Sequence, residues 1–449
     1  MENIYFTGRN FLILLLLAVL SVGANSQNWT SFGQGTNGPV RAVTVFNNNL
    51  VIAGDFTNAG GIPAGGVAVW NGTVWQSLGL GANGPVYALC VFNGVLVAAG
   101  EFTQAGGLTA TRIAYWTGSN WFAFPTNNGF NDRVNALYVY NNALIAAGRF
   151  TGAGNGPLSK IGRWDGAQWQ NLGTGLSDQV YCLAVYNTQL YAGGDFLVAG
   201  GVSASKIASW NGSAWSPLGL GLNDKPLALA VSGSYLYVGG LFTSIGGVSV
   251  NYIGAWNGNW AFVGIGTNDP VYSLADYNGQ LIAGGSFTQA GGVNAGRVAL
   301  WNGSGWSAAG TGMDDGTVYT IGQYGNGVTA GGSFSASGGN AVRNIGVWSG
   351  VTGIINSNSS VPSSYKLYQN YPNPFNPSTK LNFSVLKNSS VKLAIYNSAG
   401  QMVMQLVNSE LNAGTYSVDW NASDFPSGIY FYKLTAGSFV DTKKMILIK

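Results

Sequence analysis

The stretch Val86-Tyr87-Ala88-Leu89-Cys90-Val91-Phe92-Asn93-Gly94-Val95-Leu96-Val97-Ala98-Ala99-Gly100-Glu101-Phe102 reads as two strands and the turn between them. Its two apolar arms are rich in β-branched and aromatic residues, as strands require. Asn93-Gly94 is the hairpin turn, because both residues tolerate the positive φ that a type I′ turn demands. A glycine-rich loop, Thr103 to Thr109, leads to a third strand ending at Trp116. Thr117-Gly118 turns the chain again, and Trp121 opens a fourth strand. Four short antiparallel strands within one such unit describe a β-propeller blade.

The unit recurs. Trp70, Trp116, Trp164, Trp210, Trp256, Trp301 and Trp348 lie 46, 48, 46, 46, 45 and 47 residues apart. Phe56, Phe102, Phe150, Phe196, Phe242, Phe287 and Phe334 keep the same six spacings. Two aromatic series sharing one period mark a structural repeat. The fourth strand opens with Trp75, Trp121, Trp169, Trp215, Trp260 or Trp306 in the first six units, and no such Trp follows Trp348. The missing strand stands at the other end, as Asn28-Trp29-Thr30-Ser31-Phe32-Gly33. An N-terminal strand that completes the seventh blade closes a ring and removes exposed sheet edges, which a solenoid would keep. The fold class expected is all-β, a seven-bladed propeller closed by its N-terminal strand and followed by a small Ig-like β-sandwich.

Fourteen Trp at fixed blade positions are inter-blade core rather than a sugar-binding surface, since each buries roughly 150–250 Å². Gly193-Gly194 and Gly284-Gly285 fall near strand ends, where bulges or close backbone packing call for glycine. No helix pattern follows either pair, so a phosphate loop is excluded.

The unit W-x-x-L-G-x-G…V-x-A-L-x-V-Y…G-G-x-F-T-x-A-G-G…I-A-x-W-N-G resembles kelch-type and related secreted propeller repeats. It is especially similar to those of fungal cortical-marker (bud-site) proteins, through Trp215-Ser216-Pro217-Leu218-Gly219 and Gly285-Ser286-Phe287-Thr288-Gln289-Ala290-Gly291-Gly292. The likeness covers Trp29 to Gly350 and implies a fold, not an activity.

Ahead of the repeats, Arg9, the apolar run Phe11 to Val22 and Ala24-Asn25-Ser26 have the order of a signal peptide. The run is shorter than the roughly 20 residues of a membrane span, so residues 1–26 are expected to be cleaved, leaving no integral membrane segment. The propeller is assigned to 27–352, a polar linker with Pro362 to 353–365, and the C-terminal domain to 366–449. Cys90 and Cys182 fall in non-adjacent units, too far apart for a disulfide, and are expected as small packing residues.

In the C-terminal domain six short strands are separated by turn signals at Asn397-Ser398-Ala399-Gly400 and Asn412-Ala413-Gly414, the pattern of a compact sandwich. Tyr371-Pro372-Asn373-Pro374-Phe375-Asn376-Pro377, Val391 to Tyr396, Ala413 to Tyr416, Trp420, Ser427 to Tyr430 and the terminal Lys443 to Lys449 closely resemble the C-terminal sorting domain of the type IX secretion system. The resemblance implies export through the periplasm to the outer-membrane surface or beyond. It also implies the type IX machinery as a partner, and removal of the tail with release or surface anchoring.

Charged residues make up only 8% of the chain, against about 25% in ordinary globular proteins. Residues 27–352 carry ten Lys/Arg and eleven Asp/Glu, so the propeller lacks the basic face that nucleic-acid binding needs. There is no His, which removes Ser-His-Asp and Cys-His chemistry and His-based zinc or copper sites, including the copper site of kelch-type galactose oxidases. No cofactor or metal is expected, with weak calcium binding by Asp314 and Asp315 as the alternative.

A carboxylate-only mechanism remains open, as a glycoside hydrolase or polysaccharide lyase using Asp132, Asp178, Asp224, Asp269, Asp314 or Asp315. These aspartates also suit the turns they occupy. A binding or adhesion module for an extracellular glycan or protein is the preferred reading, with a structural surface-layer protein as the third; a monomer is expected. Two strand-end pairs eleven residues apart, Glu101 with Arg112 and Asp195 with Lys206, mark the face of the long loops. With Asp132, Asp178, Asp224, Asp269 and Asp315 they are the candidate ligand contacts; their plain reading is surface ion pairing worth about 0–1 kcal/mol.

Overall fold

The structure is a computed structural model that describes residues 29–125, 129–154, 156–325, 327–348, 355–358, 362–411, 413–422 and 425–449. The expected signal peptide lies outside these residues. All named elements are strands.

Between residues 29 and 348 the strands form seven four-stranded antiparallel sheets, numbered here 1 to 7 in chain order. Their first strands are Val40–Phe46, Val86–Phe92, Val134–Tyr140, Val180–Tyr186, Pro226–Ser232, Val271–Tyr277 and Val318–Tyr324. Each first strand packs against the first strand of the next sheet, and Val318–Tyr324 packs against Val40–Phe46. Each sheet hydrogen-bonds in the order first, second, third, fourth. The architecture is that of a β-propeller. Sheet 7 takes its fourth strand from Thr30–Ser31, which pairs antiparallel with Ile345–Trp348 through Thr30↔Val347 and Ser31↔Gly346.

Large aromatics fill the spaces between sheets. The seven recurring Phe are each at most 2% exposed. The Trp that opens each fourth strand donates its indole N–H across the sheet boundary: Trp75 to the Phe32 carbonyl (2.8 Å), Trp121 to Leu78 (2.7 Å), Trp215 to Leu172 (2.9 Å) and Trp306 to Val263 (3.0 Å). The Asn93-Gly94 turn has φ of 48° and 77°, as type I′ requires. At the far end of the same hairpins the ladder slips, so that Cys182 opposes Gly193 and Val180 opposes Gly194, leaving Tyr181 as the extra residue of a β-bulge. A Cβ on Gly194 would stand 2.1 Å from the Gln179 carbonyl oxygen, so glycine is obligatory there.

The long connection between second and third strands is a small two-stranded hairpin, Gln104–Ala105 with Leu108–Thr109 in sheet 2. Both cysteines are free thiols, Cys182 buried and Cys90 half-buried.

The C-terminal region has two four-stranded sheets around one core. Leu381, Phe383, Leu393, Ile395, Trp420, Tyr432 and Met445 are each at most 1% exposed. Phe375 of the Tyr-Pro-Asn-Pro-Phe motif packs on Trp420 with ring centroids 5.4 Å apart. Its amide donates to the Ile446 carbonyl (2.9 Å), and Asn373 Oδ1 accepts from the Ile446 amide (2.9 Å). The motif is thereby tied to the terminal strand. Within the stretch expected as linker, Ile355–Asn358 is a strand paired with Gly414–Asn421. The reason is local: without it Gly414–Asn421 would present an unpaired sheet edge.

Candidate functional site

The bulge at the start of each first strand adds one residue that the ladder does not pair, and such residues are re-aimed relative to their neighbours. In sheets 1 to 7 they are Arg41, Tyr87, Asn135, Tyr181, Leu227, Tyr272 and Tyr319, all partly exposed and each following a buried residue. Because the first strands lie side by side, these residues gather at one end of the propeller, on the side of the long loops.

With their partners they form a belt of three contact clusters. The edge of Tyr272 meets Tyr319 at 5.7 Å between centroids, and the Arg41 guanidinium lies 4.2 Å over the Tyr319 ring. Arg41 also forks onto Asp55 Oδ2 through Nε (2.9 Å) and Nη2 (2.7 Å). Tyr87 donates to Glu101 Oε2 (3.2 Å), while Arg133 stands 3.6 Å from Glu101 Oε1 and 5.4 Å over the Tyr87 ring. Tyr181 donates to Asp195 Oδ2 (2.7 Å), joined by Gln179 Nε2 (3.0 Å), Lys206 (3.6 Å) and Lys225 (3.5 Å). In sheet 5 the belt is interrupted, since Leu227 and Leu241 occupy the corresponding positions.

Electrostatics follow this geometry. Burial opposes the charge on Asp195, but the Tyr181 hydroxyl, the Gln179 amide and the two lysines outweigh it and hold the carboxyl below its usual range. Burial and then Asp195 push the Tyr181 phenol up; burial and then Glu101 do the same to Tyr87. Three buried polar atoms here have no partner within the protein: Asp55 Oδ1, Arg133 Nε and Gln179 Oε1.

The expected site residues divide. Glu101, Asp195 and Lys206 stand in the belt, and Asp195–Lys206 is paired as expected. The expected pairing of Glu101 with Arg112 is corrected: Glu101 pairs with Arg133 of the next sheet, and the Arg112 guanidinium donates to the Phe102 carbonyl (3.2 Å). Backbone conformation does not separate the two pairs, since Arg112 and Lys206 have φ of 68° and 67°; the difference is that Arg133 of the next sheet takes Glu101. Asp132, Asp178 and Asp224 each accept from the next residue's amide at 2.7, 2.7 and 2.8 Å. Asp132 is also bonded by Arg149 (2.8 Å), which outweighs burial and lowers its carboxyl pKa. The Asp269 carbonyl accepts from Thr267 Oγ1 (2.9 Å), and its charge acts on Tyr272. Asp315 takes the Ser335 hydroxyl (2.6 Å) and amide (2.7 Å), which lower its pKa, and Asp314 takes the amides of Gly338 and Gly339 (both 2.8 Å).

Asn at the related position of other sheets holds the loops in the same way. Asn223 Nδ2 donates to Thr243 Oγ1 (2.9 Å) while its Oδ1 accepts from the amides of Thr243 and Ser244 (both 2.9 Å). The long-loop face is therefore pinned by side chains and forms a rigid surface. Among the described residues no group of three or more Cys, Asp or Glu is placed to hold a metal ion. Sequence reasoning missed Arg41, Asp55, Arg133, Lys225 and the four belt tyrosines. Their signal was present: the second residue of each first strand, just before a small residue (Ala, Cys, Ser or Thr), keeps the 46, 48, 46, 46, 45, 47 spacing while its identity varies.

Residues 369–449 match the model of the secretion system C-terminal sorting domain. The tail is a type IX sorting domain. The strap of Tyr371 to Phe375 over the terminal strand is thus a feature of a sorting domain, and the chain that carries it is exported by type IX secretion to the cell surface or outside the cell. No helix among the described residues is long and apolar enough to cross a membrane. Ahead of the sorting domain, residues 22–190 match the Rax2 C-terminal beta propeller domain, in keeping with the fungal likeness of the repeats. No curated protein matched the chain. Among solved structures it is similar to PorZ, described as an essential bacterial surface component of the type-IX secretion system of Porphyromonas gingivalis. That similarity has 14% identity and a TM-score of 0.35 over 92% of this chain and 66% of that one, just short of two thirds of its length. A mutant Salmonella alpha-2-macroglobulin is similar at 9% identity and a TM-score of 0.17, over 93% of this chain and 26% of that one. Likenesses this loose carry no argument about either protein's role.

Proposed function

We propose that the chain is an exported, non-enzymatic binding module: a closed seven-bladed ring, residues 27–352, that presents its long-loop face, with residues 366–449 serving export. Binding sites gather on loops held by a rigid scaffold, and this face is pinned by side-chain hydrogen bonds in sheet after sheet. The observation that carries the non-catalytic part is the engagement of the carboxylates. Asp132, Asp195 and Asp315 are each bonded to fixed donors that lower their pKa, whereas a general acid has to hold its proton near neutrality. Tyr87 and Tyr181 shift upward, the wrong direction for a phenolate base.

The test is a binding screen of the purified mature protein against glycan and protein panels, run beside a reducing-end assay on the same polysaccharides. Binding without release of new chain ends supports the reading. Depolymerisation that disappears when Asp132, Asp178, Asp224, Asp269, Asp314 and Asp315 are changed to Asn would replace it with the hydrolase or lyase.

A further inference from the structure

We infer that the belt of bulge residues is a saccharide site that takes an uncharged glycan chain, an inference that rests on the binding role proposed above. Its charges nearly cancel within it: Arg41 on Asp55, Arg133 on Glu101, and Lys206 and Lys225 together on Asp195, four cations against three carboxylates. A polyanion laid along the belt meets a carboxylate beside every cation, and a polycation meets the reverse. An uncharged polyhydroxylated chain meets neither penalty.

The group types suit hydroxyls. Carboxylate, guanidinium, amide and phenol are planar or fixed donors and acceptors, and a sugar hydroxyl both donates and accepts. Tyr87, Tyr181, Tyr272 and Tyr319 add partly exposed ring surface, on which the C–H face of a pyranose can rest. The arrangement is an arc rather than a point, running from Tyr272 through sheets 7, 1, 2 and 3 to Asp195 of sheet 4 and stopping at Leu227. An arc suits several consecutive sugar units better than one small molecule.

A protein partner fits this surface less well. Protein interfaces centre on apolar or aromatic anchors that become fully desolvated, and here the rings are flanked by charges at every step. The most exposed aliphatic side chains, Leu80 at 75%, Leu220 at 76% and Ile265 at 68%, are on the loops that follow the fourth strands and are not among the belt's rings.

The experiment measures binding of the mature full-length protein to soluble xylan, mannan and laminarin, with alginate and polygalacturonate as polyanions and unrelated proteins as the other class. The expected result is binding to at least one neutral polysaccharide, weakened roughly tenfold or more by Tyr87→Ala with Tyr181→Ala and unaffected by Leu220→Ser. Tyr87→Phe and Glu101→Gln, which keep the ring or the shape, are the second variants should the double change lower the unfolding midpoint; each is expected to weaken binding several-fold. Neutral-glycan binding unchanged in every belt variant overturns the site and leaves the binding role standing. Preference for polyanions or proteins overturns the glycan class. Absence of binding to every panel overturns the binding role and the inference with it.

Discussion

Trp29 donates its indole N–H to the carbonyl of Ala309 at 2.9 Å, across 280 residues of chain. The same ring stacks on Trp348, with centroids 6.2 Å apart. Both contacts repeat what Trp75, Trp121, Trp215 and Trp306 do within the other sheets, so the first strand of the chain occupies a place that the repeat itself defines.

Trp29→Ala should therefore destabilise the propeller by about 3–5 kcal/mol, the range for removing a large buried aromatic, because Trp29 is 1% exposed. Trp29→Phe keeps part of the packing and loses the hydrogen bond, and should fall between that variant and the native chain. Denaturant unfolding followed by the remaining tryptophans gives the comparison. Equal midpoints for all three chains would show that the N-terminal strand does not contribute to stability.

Asn223→Ala removes one donor and two acceptor contacts to Thr243 and Ser244 at once. The expected loss is about 1–3 kcal/mol, with faster hydrogen exchange confined to the amides of Thr243 and Ser244. Asn223→Asp keeps the acceptor and should preserve most of that protection.

The depressed pKa of Asp195 contributes stability above its unfolded value, about 3.9, and that contribution is lost as pH falls through the lower folded value. Asp195→Asn should then be less stable than the native chain near neutrality, with the gap closing below about pH 4. Tyr181 has the opposite sign. Its raised pKa favours the fold below about pH 10 and ceases to do so as pH climbs through the folded value. Thermal midpoints across pH check both directions.

Burial pushes the Cys90 thiol up to about 11 and raises Cys182 further. With so little thiolate near pH 8, iodoacetamide should leave Cys182 unmodified in the folded protein, label Cys90 slowly, and label both after unfolding. A Cys90–Cys182 disulfide seen by mass spectrometry would contradict the placement of these residues in sheets 2 and 4.

Deleting residues 366–449 should leave a propeller with native thermal stability that accumulates in the periplasm. Fractionation of cells producing the truncated chain measures this, and normal amounts of it outside the outer membrane would show that export does not depend on the tail.

The fold was legible because its determinants are large, buried and unvarying. A Trp or Phe between two sheets has one acceptable volume, so each sheet repeats it and the period shows in the letters. The belt was harder to read for the opposite reason. Arg41, Tyr87, Asn135, Tyr181, Leu227, Tyr272 and Tyr319 hold one backbone position whose side chain faces outward, so packing imposes no residue type and the chemistry changes from sheet to sheet. Glu101 and Arg112 misled because spacing within one unit does not report that Arg133, from the next unit, takes the Glu101 carboxylate. Asp195 and Lys206 do pair, yet the third member of their cluster, Lys225, comes from the next unit and no local spacing announces it. Ile355–Asn358 escaped notice because a polar edge strand is recruited by the open edge of Gly414–Asn421 rather than by its own composition.

The two-residue pairing of Thr30–Ser31 with Ile345–Trp348 also governs the order in which the molecule is assembled. The segment that finishes the last sheet is synthesised ahead of the rest of the propeller, and it has no partner until Trp348 has followed it. Every species that is folded but for this contact carries a loose Trp29 segment at one end and an open Ile345–Trp348 edge at the other. The two are complementary between molecules as well as within one, so concentrated refolding favours strand exchange into head-to-tail chains of intact propellers, whereas dilution favours the self-closed monomer.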